Sequence, residues 1–280
     1  MSNEPVTDEL IELRGLRFHF RDWPARRADA PALVLLHGYT GHARSWDAFA
    51  AAMTDRYRVL ALDQRGHGDS AWAGAGNYGI SEMTRDLIAF VAALKLDHFA
   101  LLALSMGGMV AMDYAGRRPA ELERLVIVDI GPELMNSGAG RIRERQEQDS
   151  DVFASREAAF AHARANNAIA PDEHLRHRSD MSLMRLEDGR WTYRYDRVLR
   201  SVRELRPRSA EEGWASCAAI AVPTLVMRGE LSDILAPEIA ARMIETIPDA
   251  ALATVVGSGH SVPLDKPDGF LGAARRFLTG

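Results

Sequence analysis

Three short stretches of the chain combine residue types suited to acyl transfer. The first is Leu101-Leu102-Ala103-Leu104-Ser105-Met106-Gly107-Gly108. An apolar, β-type run ends at a serine, and a glycine pair and a helical pattern follow. A serine on such a strand-to-helix turn has its hydroxyl lifted clear of the backbone, given small residues two before and two after it. Here these are Ala103 and Gly107, and Ala103 is a mild departure from the commoner glycine. The following helix presents free N–H groups and a positive dipole end beside the serine. The same serine would also serve as an ordinary helix cap. The second stretch is Val255-Val256-Gly257-Ser258-Gly259-His260, where glycines let a loop bring an imidazole against another strand end. A serine nucleophile needs a base of near-neutral pKa, which is what histidine offers. The third stretch, Val226-Met227-Arg228-Gly229-Glu230-Leu231-Ser232-Asp233, supplies an acid in the loop after a strand. A carboxylate on the other ring nitrogen fixes the tautomer of the base and stabilises the imidazolium. Glu230 competes with Asp233 for that place, as does Asp129 at the end of a further β-type run. The order Ser105, Asp233, His260 is the one expected for a serine on this kind of turn.

Other polar groups offer less. His174 and His177 stand three apart and could share a metal ion on a helix, but no third ligand is pinned beside them, so a solvated face is expected and no metal. No phosphate-cradling glycine loop or dinucleotide fingerprint is present, so no cofactor is expected.

The elements that must position these residues alternate in type. β-type runs cover 10–13, 16–20, 32–36, 58–62, 99–104, 125–130, 223–227 and 251–256. Helical patterns cover 45–53, 81–94, 106–117, 237–247 and 267–278. In the helix over 81–94, Ser81 is the expected cap, and Met83, Leu87, Ile88, Val91 and Leu94 the buried face. This order predicts an α/β protein with a mostly parallel eight-stranded sheet, helices on both faces and an antiparallel N-terminal edge. The alternation breaks after Gly131-Pro132, where a polar, arginine-rich stretch reads as helices and loops. The expected organisation is a core of 1–132 and 214–280 with a helical lid of 133–213 inserted after the sixth strand. Ligands in open α/β sheets bind at the carboxyl ends of the strands, which is where all three motifs fall.

The 280 residues and net charge of −5 suit one large domain and exclude a strongly basic nucleic-acid-binding face. A single cysteine, Cys217, rules out an internal disulfide. No basic start followed by an apolar run opens the chain, and no apolar stretch approaches membrane-span length, so a soluble cytoplasmic protein is expected. The lid region 141–208 carries fifteen arginines against twelve acids, while the rest of the chain is acidic. A weakly positive lid would favour an anionic substrate, although a solvated face is the favoured account of these arginines. Nothing in the sequence fixes an oligomeric state.

Two further motifs complete a set: His37-Gly38-Tyr39-Thr40-Gly41 after the third strand and Asp63-Gln64-Arg65-Gly66-His67-Gly68-Asp69-Ser70 after the fourth. With the serine turn, the acid loop and the Gly-His pair, five motifs stand in the order of the α/β-hydrolase superfamily, which the chain resembles over nearly its whole length. The resemblance implies a catalytic triad of Ser105, Asp233 and His260, with Asp233 preferred to Asp129 and Glu230. It implies an oxyanion hole from the backbone N–H groups of Tyr39 and Met106, with Gly38 leaving room for the substrate oxygen. It gives His37 and the 63–70 turn structural work. The enol-lactone hydrolases and small esterases are similar in lid size and motif style. The implied activity is hydrolysis of a carboxylic ester or lactone, on a small molecule with a carbonyl group. Carbon–carbon hydrolysis of a diketone, and a small-molecule receptor that kept the fold, are the alternatives.

Overall fold

The computed structural model describes residues 5–135, 140, 151–200 and 208–280. The rest of the expected lid (136–139, 141–150 and 201–207) lies outside the described residues, and with it part of the arginine-rich stretch. Eight strands form one sheet: β1 (Thr7–Leu13), β2 (Leu16–Trp23), β3 (Ala32–Leu36), β4 (Arg58–Leu62), β5 (Phe99–Leu104), β6 (Leu122–Val128), β10 (Thr224–Gly229) and β11 (Ala250–Val255). Their spatial order is β1-β2-β4-β3-β5-β6-β10-β11. The pairings β1–β2 and β2–β4 are antiparallel and the others parallel. A two-residue turn joins β1 to β2, with Arg14 and Gly15 both at positive φ, which matches the twist of a tight hairpin.

The central strands are continuous apolar runs because both of their faces are covered. On one side Val34, Leu36, Leu60, Leu62, Leu101 and Ile127 pack against α2 (Ile80–Ala93), α3 (Met106–Ala115), α6 (Ala210–Ala219) and α7 (Pro237–Thr246). On the other, Leu33, Leu35, Val59, Leu102, Val126 and Val128 pack against α1 (Asp47–Met53), the short α8 (Val262–Asp265) and α9 (Pro267–Thr279). Consecutive residues alternate between the two cores, as the two-residue strand period requires. Helix α2 starts after Gly79, whose backbone caps it without a side chain, so Ser81 lies inside the helix. Its inward face is Met83, Leu87, Phe90 and Val91, while Ile88 turns to solvent.

The stretch between β6 and β10 is not all helix and loop. It holds α4 (Arg156–Asn166) and α5 (Asp172–Met181). It also holds a small antiparallel sheet of β7 (Val152–Phe153), β9 (Trp191–Tyr193) and β8 (Leu183–Arg185). Leu199 and Tyr195 beyond it are buried, and Tyr193 stacks on Tyr195. This insert is seated on the turn after β4. Gly68 N–H donates to the Arg194 carbonyl at 2.9 Å, Asp196 N–H to the Gly66 carbonyl at 2.8 Å, and the Arg194 guanidinium to Asp69. Among the described residues no helix is long and apolar enough to cross a membrane.

Candidate active site

Ser105 stands between the last residue of β5 and the first of α3, with φ 53° and ψ −118°. A non-glycine residue in that region carries local strain of order 1–3 kcal/mol. The surrounding contacts impose it. Ser105 N–H donates to the Val128 carbonyl at 2.9 Å, and its own carbonyl accepts from Met109 N–H at 3.1 Å. The two glycines that follow let α3 approach the sheet. A Cβ on Gly107 would lie 2.7 Å from the His37 carbonyl oxygen, and one on Gly108 would lie 2.4 Å from Ile130 Cγ2. Ala103 is fully buried, so its methyl is accommodated where glycine is commoner.

The loop after β3 meets the serine through Gly38, where a Cβ would come within 3.2 Å of Ser105 Cβ. His37 fixes this loop. Its Nδ1 lies 2.8 Å from the Gly38 carbonyl, and its Nε2 accepts from Gln64 N–H at 3.0 Å. That pattern demands the neutral tautomer with the proton on Nδ1. Burial, reinforced by neighbouring His67, pushes His37 down to about 3. His37 is therefore a structural hydrogen-bonding group and not a second base. Tyr39 follows Gly38, and Met106 opens α3, whose first amides have no partner within the helix. The N–H groups of both thus belong to the two segments that converge on Ser105.

His260 reaches the serine from the loop after β11. Its Nε2 lies 2.9 Å from Ser105 Oγ, and its Nδ1 lies 2.8 Å from Asp129 Oδ2. The loop passes close over the end of β10 because Gly229 is bare there; a Cβ would fall 2.1 Å from the Gly259 carbonyl oxygen.

The carboxylate on His260 is thus that of Asp129, and not that of Asp233. The sixth strand ends at Val128, two residues earlier than its apolar run suggests, and Asp129 leaves it with φ 51°. Val128 is in register with Leu104, so Asp129 and Ser105 are the next residues on adjacent strands. Asp129 is fully buried and well supplied with donors: Gly229 N–H at 2.8 Å on Oδ1, and the Ser232 hydroxyl and His260 on Oδ2. Asp233 lies four residues beyond β10, in a loop curled by Arg228. That guanidinium donates to the carbonyls of Glu230, Ser232 and Leu235, which turns Ser232 toward Asp129. Glu230, the other competitor, accepts from Gly257 N–H at 2.8 Å and so braces the histidine loop. The signal for Asp129 was present in the sequence as an acid directly after a fully apolar strand.

The turn after β4 is a polar knot. Asp63 accepts from His19, Ala43 N–H and Asp69 N–H. Burial opposes its charge, but these partners, His19 first, hold it down at about 2. His19, Asp63 and Asp69 are close enough to share a metal ion. Both Asp63 oxygens and both His19 nitrogens already have partners within the protein, so the group fits a structural role. His177 pairs with Asp47 at 3.2 Å. A recess of about 420 Å³ is lined by Asp69, Trp72, Arg156, Trp191 and Arg194 among others, and not by Ser105, Asp129 or His260.

Comparison with known proteins gives the family of the chain. Residues 31–267 match the family described as alpha/beta hydrolase fold. The chain is 29% identical to 3-hydroxybutyrate-oligomer hydrolase of Cupriavidus necator, covering 97% of this chain and 96% of that protein. It is 30% identical to N-formylmaleamate deformylase of Pseudomonas putida, covering 96% and 95%. The solved structure of E-2-(acetamidomethylene)succinate hydrolase superposes with a TM-score of 0.88 at 20% identity, covering 99% of this chain and all of that one.

Proposed function

Because this chain belongs to the α/β-hydrolase fold family and is a hydrolase of that family, we propose that it cleaves a small carboxylic ester or lactone with Ser105 as nucleophile. The observation that carries this reading is the unbroken line from Ser105 Oγ through His260 to buried Asp129, with the serine held on a strained turn at a helix N-terminus. His260 takes the Ser105 proton as Oγ attacks the carbonyl carbon. The Tyr39 and Met106 amides stabilise the oxyanion; one such donor is typically worth about 2.7–4 kcal/mol. Asp129 stabilises the imidazolium, which then protonates the leaving group. Water, activated by the same imidazole, releases the acyl group. The insert between β6 and β10 acts as the lid. Its Tyr195 and Leu199 close over the oxyanion loop through the Tyr39 hydroxyl, which donates to the Leu199 carbonyl. The relatives named as an oligomer hydrolase and a deformylase support transfer of an acyl group to water.

The test is labelling with a fluorophosphonate probe, followed by turnover of p-nitrophenyl esters, lactones and vinylogous diketones. Wild type should be labelled, Ser105→Ala should not, and esters should turn over fastest. A diketone cleaved far faster than every ester would replace the reading with carbon–carbon hydrolysis. An unlabelled wild-type protein that binds a small ligand would make it a receptor.

A further inference from the structure

We propose that Arg178 is a specificity-determining residue of this site, and that the substrate is an acyl compound carrying a carboxylate, such as the half-ester of a dicarboxylic acid. The proposal rests on Ser105 being the nucleophile. The segment 167–182 bridges the two loops that flank that serine. At one end the Asn167 amide donates to Asp265 at 2.7 Å, Asp265 accepts from Gly259 N–H at 2.9 Å, and Ile169 packs over Gly259, next to His260. At the other end His42, on the loop after β3, meets the Ser182 hydroxyl at 2.9 Å and the Arg178 carbonyl at 3.4 Å. Helix α5 spans the gap, burying Leu175 and Ser179. Arg178 lies three residues after Leu175 and so neighbours it on the helix surface. Its charge acts on Tyr193 and on Asp265, beside the catalytic histidine.

The guanidinium has no hydrogen bond and no ion pair among the described residues. Five other arginines of the insert, Arg164, Arg176, Arg190, Arg194 and Arg200, each hold a carboxylate. Arg178 is closely surrounded by protein yet keeps some accessible surface. Burial lowers its pKa, which expresses the cost of a desolvated cation without a partner. Asp265, an acid whose charge acts on it, does not discharge that cost: the two form no hydrogen bond or ion pair, and the Asp265 oxygens accept instead from Asn167 and Gly259. A substrate carboxylate would, since the planar guanidinium matches it in a two-pronged pair. An anion held from the lid side would leave the acyl carbon free to meet Ser105.

The experiment compares mono-p-nitrophenyl succinate with its methyl ester, which has the same acyl chain without the charge, on wild type, Arg178→Gln and Arg178→Lys. Wild type should prefer the charged ester in kcat/KM. In Arg178→Gln that preference should fall by about 30-fold, mainly through KM, in line with losing a hydrogen bond to a charged group. Arg178→Lys should recover part of it. The thermal midpoint of Arg178→Gln should match or exceed wild type, because an unpaired cation is removed; a purely structural arginine would lower it. A wild-type enzyme that labels at Ser105 but prefers neither ester, or a preference unchanged in Arg178→Gln, overturns this inference and leaves the hydrolase reading intact. Failure of Ser105 to label overturns both.

Discussion

Replacing Asp129 and Asp233 separately discriminates between the two candidate acids. In the structure Asp129 Oδ2 lies 2.8 Å from His260 Nδ1, so the Nδ1 proton is held there and Nε2 is free to take the serine proton. Asp129→Asn puts an amide in that place. Its oxygen can still accept from Gly229 N–H on the Oδ1 side, so the strand end should keep its shape. Its NH₂ then faces Nδ1, which must become an acceptor, and the ring proton moves to Nε2, where it opposes deprotonation of Ser105. The same change in a buried Asp-His-Ser relay lowers kcat about 10⁴-fold, or about 5.5 kcal/mol in the barrier. Asn is preferred to Ala because it keeps an acceptor for Gly229 N–H, which alanine would strand at about 1–3 kcal/mol; either change takes the Oδ2 acceptor from the Ser232 hydroxyl. Asp233→Asn alters a loop whose course Arg228 sets, and should cost less than about tenfold. The assay is kcat/KM on p-nitrophenyl acetate, with thermal midpoints to confirm folding. A thousandfold loss in Asp233→Asn with near-normal Asp129→Asn would refute the assignment.

Three further outcomes follow from the geometry. Ser105→Gly should abolish turnover yet stabilise the fold by about 1 kcal/mol in denaturant titration, because glycine tolerates φ 53° without the strain a side chain carries there. Gly108→Ala should destabilise by about 1–3 kcal/mol in the same titration, since the added methyl would sit 2.4 Å from Ile130 Cγ2. Stability should fall as pH drops below about 6.5, measured as thermal midpoint. Burial holds His37, His42 and His67 down to about 3, 4 and 4, so they stay neutral in the fold while the unfolded chain takes up protons, at up to about 1.4 kcal/mol per pH unit per imidazole. His19 works in the opposite sense: burial opposes its charge, but Asp63 and Asp8 raise it, so its contribution is complete below about 6.5 and fades above.

The sheet could be read from the sequence because its inner strands are fully covered. Ala32–Leu36 and Phe99–Leu104 are unbroken apolar runs, and runs so short between turn signals suit a buried strand better than a helix. The face of α2 was less legible. Ile88 follows Leu87 by one helical step, and periodicity alone does not say which edge of the apolar stripe meets the sheet; Phe90 took the place expected of Ile88. The strands of the insert escaped notice for a different reason. Val152–Phe153 and Leu183–Arg185 are too short to display a two-residue period, and Val152–Phe153 pairs with Trp191–Tyr193 far away in sequence.

The acid shows what chain order leaves undecided. The serine and the base were legible because each has a local requirement, a tight turn for Ser105 and glycines around His260. The carboxylate has none. It needs only to lie under the imidazole, and the imidazole crosses from the loop after β11 toward β5 over the ends of both β10 and β6. An acid at either end satisfies the order Ser, Asp, His. Depth decides between them. Asp129 is the residue after Val128 on the strand next to Ser105, where the Gly229 amide and the Ser232 hydroxyl compensate a buried charge. The loop bearing Asp233 contributes that hydroxyl instead, so the segment the sequence singled out serves the site through Ser232, one residue before the acid it was expected to supply.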